Sequence, residues 1–432
     1  MRKILAAAAV VLAALPAVRA LDGKLFFTLA PNVEDEFRHI MPHRPPHVSN
    51  VVRCVRRQPV TLVLLLRGPA TGKDGAVRVE VESVETVDPG GKKKVLVRPE
   101  EHRVLLKGVR KTPRDFAGVM LAPLFVTLIV EDGDPLGKYR FAMRIRDLGD
   151  GSELALAAEI AAVEQLPGAP EKPMTTGEMS KFITHYYRQP DPAKIPAAFA
   201  AFLRYDIKAS GSKKHYDPLA SLCAFAELYK LNPQLRPALA AGAAGYSTIH
   251  KQYVAMILAQ AGAEDSELAG ADPELKQLFA RFNGKKPLSF AKVVHPAQLD
   301  ALWTTFFVTG RVEPIRRLVG ELGKRTDVMT AAEVKKLGRK PTREESAKVM
   351  NGLIGRMAEW SLASNAKQHR LAAYYLEAML MRNMYPDREA AVKLGGMLIN
   401  AGLLEVREAP GGKKTLGIRF PERRKVEKDR NP

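Results

Sequence analysis

The sequence predicts a multidomain protein, all-β and then all-α: an N-terminal β-sandwich, an α-helical array and a C-terminal β-hairpin. Three observations predict it. Short apolar runs alternate with turn residues up to about residue 165. A Pro-rich stretch follows. Beyond it the apolar period changes from two residues to 3.6.

The first twenty residues, MRKILAAAAVVLAALPAVRA, have a basic start at Arg2 and Lys3, an apolar run from Ile4 to Val18, and a small-x-small ending at Val18-Arg19-Ala20. This pattern predicts a secretory signal cut after Ala20, and hence a periplasmic or secreted protein. Cleavage lowers the formal net charge from +20 by the three cations Arg2, Lys3 and Arg19, to +17. The longest later apolar run, Val119 to Val130, carries Pro123 and is too short to span a bilayer. A transmembrane segment in the mature chain is therefore not expected.

Residues 21–165 read as about eight short strands. Val60 to Leu66 is a continuous apolar run, Val77, Val79 and Val81 alternate with charged residues, and Asp88-Pro89-Gly90-Gly91 is a turn. Val95 to Val97, Val104 to Val109, Phe125 to Val130, Tyr139 to Ile145 and Leu154 to Val163 complete the set. Two packed antiparallel sheets are the expected arrangement. Residues 166–177 hold the linker prolines Pro167, Pro170 and Pro173.

Helical stripes follow at Ile195–Leu203, Leu219–Leu231 and Tyr246–Ala261. Leu299, Leu302, Trp303, Phe306 and Phe307 form another, stopped by Gly310, and Glu313-Pro314 opens the next. Further stripes run through Met350 to Trp360 and Leu371 to Met379. The helical domain is expected over 178–402. Leu403 to Arg407 and Thr415 to Phe420, around Pro410-Gly411-Gly412, predict a hairpin within 403–421. Residues 422–432 read as a mobile tail.

Two resemblances attach to particular residues. Pro135, Gly137, Tyr139 and Asp147, in DGDPLGKYRFAMRIRDLGDG, resemble the C-terminal half of immunoglobulin-like modules of bacterial envelope proteins. That resemblance implies an immunoglobulin-like β-sandwich and no chemistry. Leu299, Asp300, Leu302, Trp303, Phe306, Thr309 and Gly310 resemble a run in uncharacterised bacterial secreted helical proteins. It implies helical architecture, and the spacing of helix pairs suggests a tetratricopeptide-like superhelix or an irregular helical array.

Candidate sites are few. His39, His43 and His47 are spaced by four and could hold Zn²⁺ or Cu²⁺, with Glu34, Asp35 and Glu36 nearby. Pro42, Pro45 and Pro46 break the helix that would align those imidazoles, and Arg44 opposes a cation. Gly245-Tyr-Ser247 lacks the second glycine of a nucleophile elbow. Ser364/Lys367 and Ser210/Lys213 match S-x-x-K without partner motifs, and Gly68 to Asp74 is one residue short of a phosphate loop and reads as a β-hairpin turn. Cys54 and Cys223 sit among apolar neighbours and read as buried thiols.

Charge is the remaining signal. Residues 21–165 carry a net +2 and residues 166–432 a net +15. Lys335, Lys336, Arg339 and Lys340 are the candidate binding cluster. The leading expectation is a non-catalytic binding or scaffold protein of the bacterial envelope. Its partner would be an envelope protein or an anionic envelope polymer, met through the basic helical domain. The alternatives are a metal-dependent enzyme using the His-rich loop, and a binder of anionic cell-wall or membrane surface. No stacking aromatics interleave with the basic patches, so nucleic acid is not expected.

Overall fold

The computed structural model describes residues 21–38, 48–70, 76–97, 103–104, 109–110, 121–165, 172–210, 217–323, 328–381, 388–409 and 413–418. They fall into two compact units, one of strands and one mainly of helices, so the protein is mixed β plus α.

The first unit contains β1 (Asp22–Thr28), β2 (Arg53–Val55), β3 (Val60–Arg67), β4 (Ala76–Val77), β5 (Val79–Val87) and β6 (Lys93–Val97). It continues with β7 (Arg103–Val104), β8 (Val109–Arg110), β9 (Leu121–Leu128), β10 (Gly137–Asp147) and β11 (Glu153–Val163). One sheet has the order β1-β3-β9, antiparallel throughout. The other has the order β2-β11-β10-β5-β6, with β7 also on β5 and β2 parallel to β11. β3 is central in its sheet and buries Val60, Leu62, Val63, Leu64 and Leu66, which explains its unbroken apolar run. β10 alternates instead: Phe141, Met143 and Ile145 are buried, while Arg140, Arg144 and Arg146 are exposed. Phe27 of β1 meets Phe141 of β10 edge-on at 5.3 Å, so the two sheets share one core.

The stretch carrying the first resemblance is a set of structural devices. The Tyr139 hydroxyl donates to the Pro135 carbonyl at 2.7 Å. Gly137 has φ +132°, and a β-carbon there would lie 2.8 Å from Pro89 Cβ. The buried Asp147 carboxylate accepts from the Ala70 and Gly149 amides, pinning the loop after β3 to the β10–β11 turn.

Two strand expectations change. Val77 to Val81 is not one strand: β4 pairs with β8 and β5 with β10, and the Arg78 carbonyl between them accepts from the Leu148 amide at 2.9 Å. Gly68 onward is not a hairpin turn either, because β3 pairs with β1 and β9 and not with β4.

The second unit begins earlier in the chain than the linker. Its first helix, α1 (Val33–Arg38), lies between β1 and β2 in sequence but belongs with the helices. Next come α2 (Thr176–His185), α3 (Ile195–Ser210), α4 (Leu219–Leu231), α5 (Arg236–Gly242), α6 (Thr248–Ala261) and α7 (Pro273–Phe282). Then follow α8 (Ala297–Thr309), α9 (Val312–Gly323), α10 (Ala331–Lys336), α11 (Arg343–Gln368), α12 (Arg370–Met381) and α13 (Arg388–Asn400). The antiparallel hairpin of β12 (Leu404–Ala409) and β13 (Lys413–Ile418) ends the described chain.

Local chemistry sets these helix starts and stops. Thr175, Thr330 and Thr342 form reciprocal caps with Glu178, Glu333 and Glu345. Gly262 and Gly310 end α6 and α8 in the left-handed region. α8 faces two apolar clusters. Ala301 and Val308 join one built mainly from α2 to α7, and Leu299, Leu302, Trp303 and Phe306 join another built from α9, α11, α12 and α13. Among the described residues no helix is long and apolar enough to cross a membrane.

Candidate functional site

A cleft of the helical unit surrounds α2 and the turn after it. It has a volume of about 770 Å³, and its walls include Lys172, Lys181, His185, Arg188 and Lys194. The Thr175–Glu178 cap starts α2, Lys181 and His185 recur one turn apart on it, and Arg188 follows in the turn after its end. Pro190-Asp191-Pro192 breaks the chain direction and brings Lys194 back to the same cleft.

The two carboxylates in the lining are both engaged locally. Glu178 accepts from the Thr175 amide and hydroxyl, which holds its carboxyl below the usual range. Asp191 pairs with Lys194 at 2.7 Å. Lys172, Lys181 and Arg188 make no ion pair among the described residues. The cleft is thus electropositive and short of counter-charge.

A stack of rings lies behind His185. His369, at the break between α11 and α12, is 1% exposed. Its ring is 4.6 Å from Phe307 and 5.6 Å from His185, and the Tyr187 hydroxyl is 3.5 Å from its Nδ1. Burial, reinforced by His185 and Arg188, pushes its pKa down to about 4. It is therefore neutral at pH 7 and a poor proton acceptor there. Among the described residues no Ser, Thr or Cys lines the cleft. The arrangement suits holding an anion.

Elsewhere in the unit, a buried histidine–aspartate pair and a helix cap are structural. His250 Nε2 lies 3.1 Å from Asp206 Oδ2, with both side chains buried. Ser247 of the elbow-like motif caps α6 by accepting from the His250 amide. Ser364 and Lys367 of the S-x-x-K match lie on α11. Cys223 borders a smaller cavity of about 240 Å³, but burial pushes its thiol up to about 12. Cys54 is likewise pushed up to about 11, and both cysteines are free and buried.

His39, His43 and His47 lie outside the described residues. Among the described residues no group of three or more His, Cys, Asp or Glu side chains could hold a metal ion. Of the neighbouring acids, Glu36 is buried and accepts from Asn32 Nδ2 at 3.3 Å. Lys335 and Lys336 end α10, and with Arg339 and Lys340 they are exposed. Arg339 makes two bonds to the Glu345 carboxylate, at 2.7 and 2.8 Å, and so is already neutralised. None of the four lines the α2 cleft, whose cations are spread along the chain instead of clustered in it.

No family model matches the chain, and no curated protein matches it in sequence. Two solved structures are distantly similar. One is a family 123 glycoside hydrolase from Clostridium perfringens, 7% identical over 44% of this chain and 35% of that one, with a TM-score of 0.18. The other is E. coli alpha-2-macroglobulin, 10% identical over 87% of this chain and 25% of that one, with a TM-score of 0.19. The chain thus spans about a third or less of either protein's length. At such scores neither likeness bears on fold or function.

Proposed function

We propose that the protein is a non-catalytic binding protein of the bacterial cell envelope that holds an anionic partner in the α2 cleft. The observation that carries this reading is the set Lys172, Lys181 and Arg188, three cations without ion-pair partners in one large cleft. Its location rests on the signal-like first twenty residues. In this reading the strand unit is an immunoglobulin-like β-sandwich that positions the helices. Support comes from two sheets on one core and from the Tyr139-to-Pro135 hydrogen bond, the kind of tyrosine bond that recurs in such sandwiches. The helical unit is read as a tetratricopeptide-like or irregular array: neighbours such as α6 and α7 pack together, and α4 also packs on α8.

The test is binding of fluorescent polyphosphate to the full mature chain. Replacing Lys172, Lys181 and Arg188 together with Ala should weaken binding about tenfold or more. Replacing Lys335, Lys336 and Lys340 with Ala should leave it nearly unchanged. The opposite pattern would move the site to the α10 cluster and end the cleft reading.

A further inference from the structure

The chain has two tryptophans in opposite environments. Trp303 is 3% exposed and donates its indole N–H to Ser361 Oγ at 3.0 Å. Trp360 on α11 is 72% exposed. Leaving the largest apolar side chain in water serves no packing purpose. Trp360 borders an open groove of about 320 Å³ between α11 and the end of α13. Ala363 and Ala401 are too small to cover the indole, which keeps the groove open.

The polar lining is specific. Arg356 lies one turn before Trp360 and Lys367 two turns after it, on the same stripe of α11. Glu359 and the Asn400 amide complete the rim. None of Arg356, Glu359 and Lys367 is in an ion pair among the described residues.

We propose that this groove binds an acidic saccharide. The weakly positive C–H face of a pyranose ring stacks on the electron-rich indole face. Arg356 and Lys367 take the sugar carboxylate, Arg356 as a two-pronged donor. Glu359 accepts from hydroxyls, and Asn400 both donates and accepts. An open groove with one aromatic platform and planar polar groups around it suits a ring with hydroxyls on its edge.

The site is separate from the α2 cleft and does not depend on it. The experiment follows tryptophan emission and binding heat of the full mature chain. The probes are oligogalacturonate of about five rings, a neutral gluco-oligosaccharide of equal length, poly-L-glutamate, and vesicles of phosphatidylglycerol and phosphatidylcholine. Oligogalacturonate should give a saturable change in emission and bind about tenfold tighter than the neutral sugar. Trp360→Ala should abolish its binding heat while the emission of Trp303 reports an intact fold. Arg356→Ala with Lys367→Ala should remove the preference for the acid, and the Lys172/Lys181/Arg188 variant should retain it. Absent oligogalacturonate binding, equal affinity for the neutral sugar, or unchanged binding in Trp360→Ala would overturn the proposal. So would an equal response to poly-L-glutamate or to the vesicles.

Discussion

Gly310 lies so close to Asn32 that a β-carbon at position 310 would stand 2.7 Å from the Asn32 amide carbon and nitrogen. The same β-carbon would meet Tyr187 Cδ2 at 2.9 Å, and the Tyr375 hydroxyl donates to the Gly310 carbonyl at 2.8 Å. The end of α8 is therefore the seat on which the α1 segment rests. Gly310→Ala combines this clash with a φ of +61° and should destabilise the helical unit by about 3 kcal/mol. Gly320 in α9 faces open space, so Gly320→Ala should instead stabilise it by roughly 0.5–1 kcal/mol. Urea unfolding of the two variants checks both signs.

Acid should loosen the same unit through His369. Its folded pKa is about 4 against an ordinary 6.5. Between those values the unfolded chain binds a proton that the folded chain refuses. The contribution is complete above about pH 6.5 and falls as the pH drops toward 4, by about 3 kcal/mol. Unfolding followed by the buried Trp303 should show this loss. His369→Phe should lose less stability over the same range, because the substituted ring cannot take up a proton.

In the strand unit, Asp147 is the connection to test. Asp147→Ala leaves the Ala70 and Gly149 amides without their acceptor and should cost about 2 kcal/mol. Tyr139→Phe removes only the hydroxyl bond to Pro135 and should cost about 1 kcal/mol. Equal effects of the two changes in thermal unfolding would contradict this ranking.

The native thiols should be inert. Cys54 and Cys223 are buried, with thiols pushed up to about 11 and 12. A thiol-reactive disulfide reagent at pH 8 should modify neither in the folded protein and both in guanidinium. Rapid reaction of one equivalent in native buffer would show an opening at that cysteine.

Much of the helical half is legible from spacing. The stripe over Leu219–Leu231 matches α4 at both ends, and Gly310 ends α8 because a left-handed residue is needed there. In the strand half, the alternation at Val77, Val79 and Val81 hides a change of partner at Arg78, since strand pairing is non-local. α1 is a short acidic turn whose place is decided by Asn32 and Gly310, residues far apart in the chain. The α2 cleft escapes a search for basic runs because its cations are dispersed from Lys172 to Lys194. The period of Lys181, His185 and Arg188 was its visible trace. The conspicuous run at 335–340 is a solvated helix end and turn whose one arginine already has its carboxylate.

α8 lends one side to each apolar cluster of the helical unit. Neither cluster can melt without stripping a wall from the other. Two cores joined by a common element should therefore cross the denaturation curve together, as a single cooperative step, and a lesion in α9 should be felt in α4.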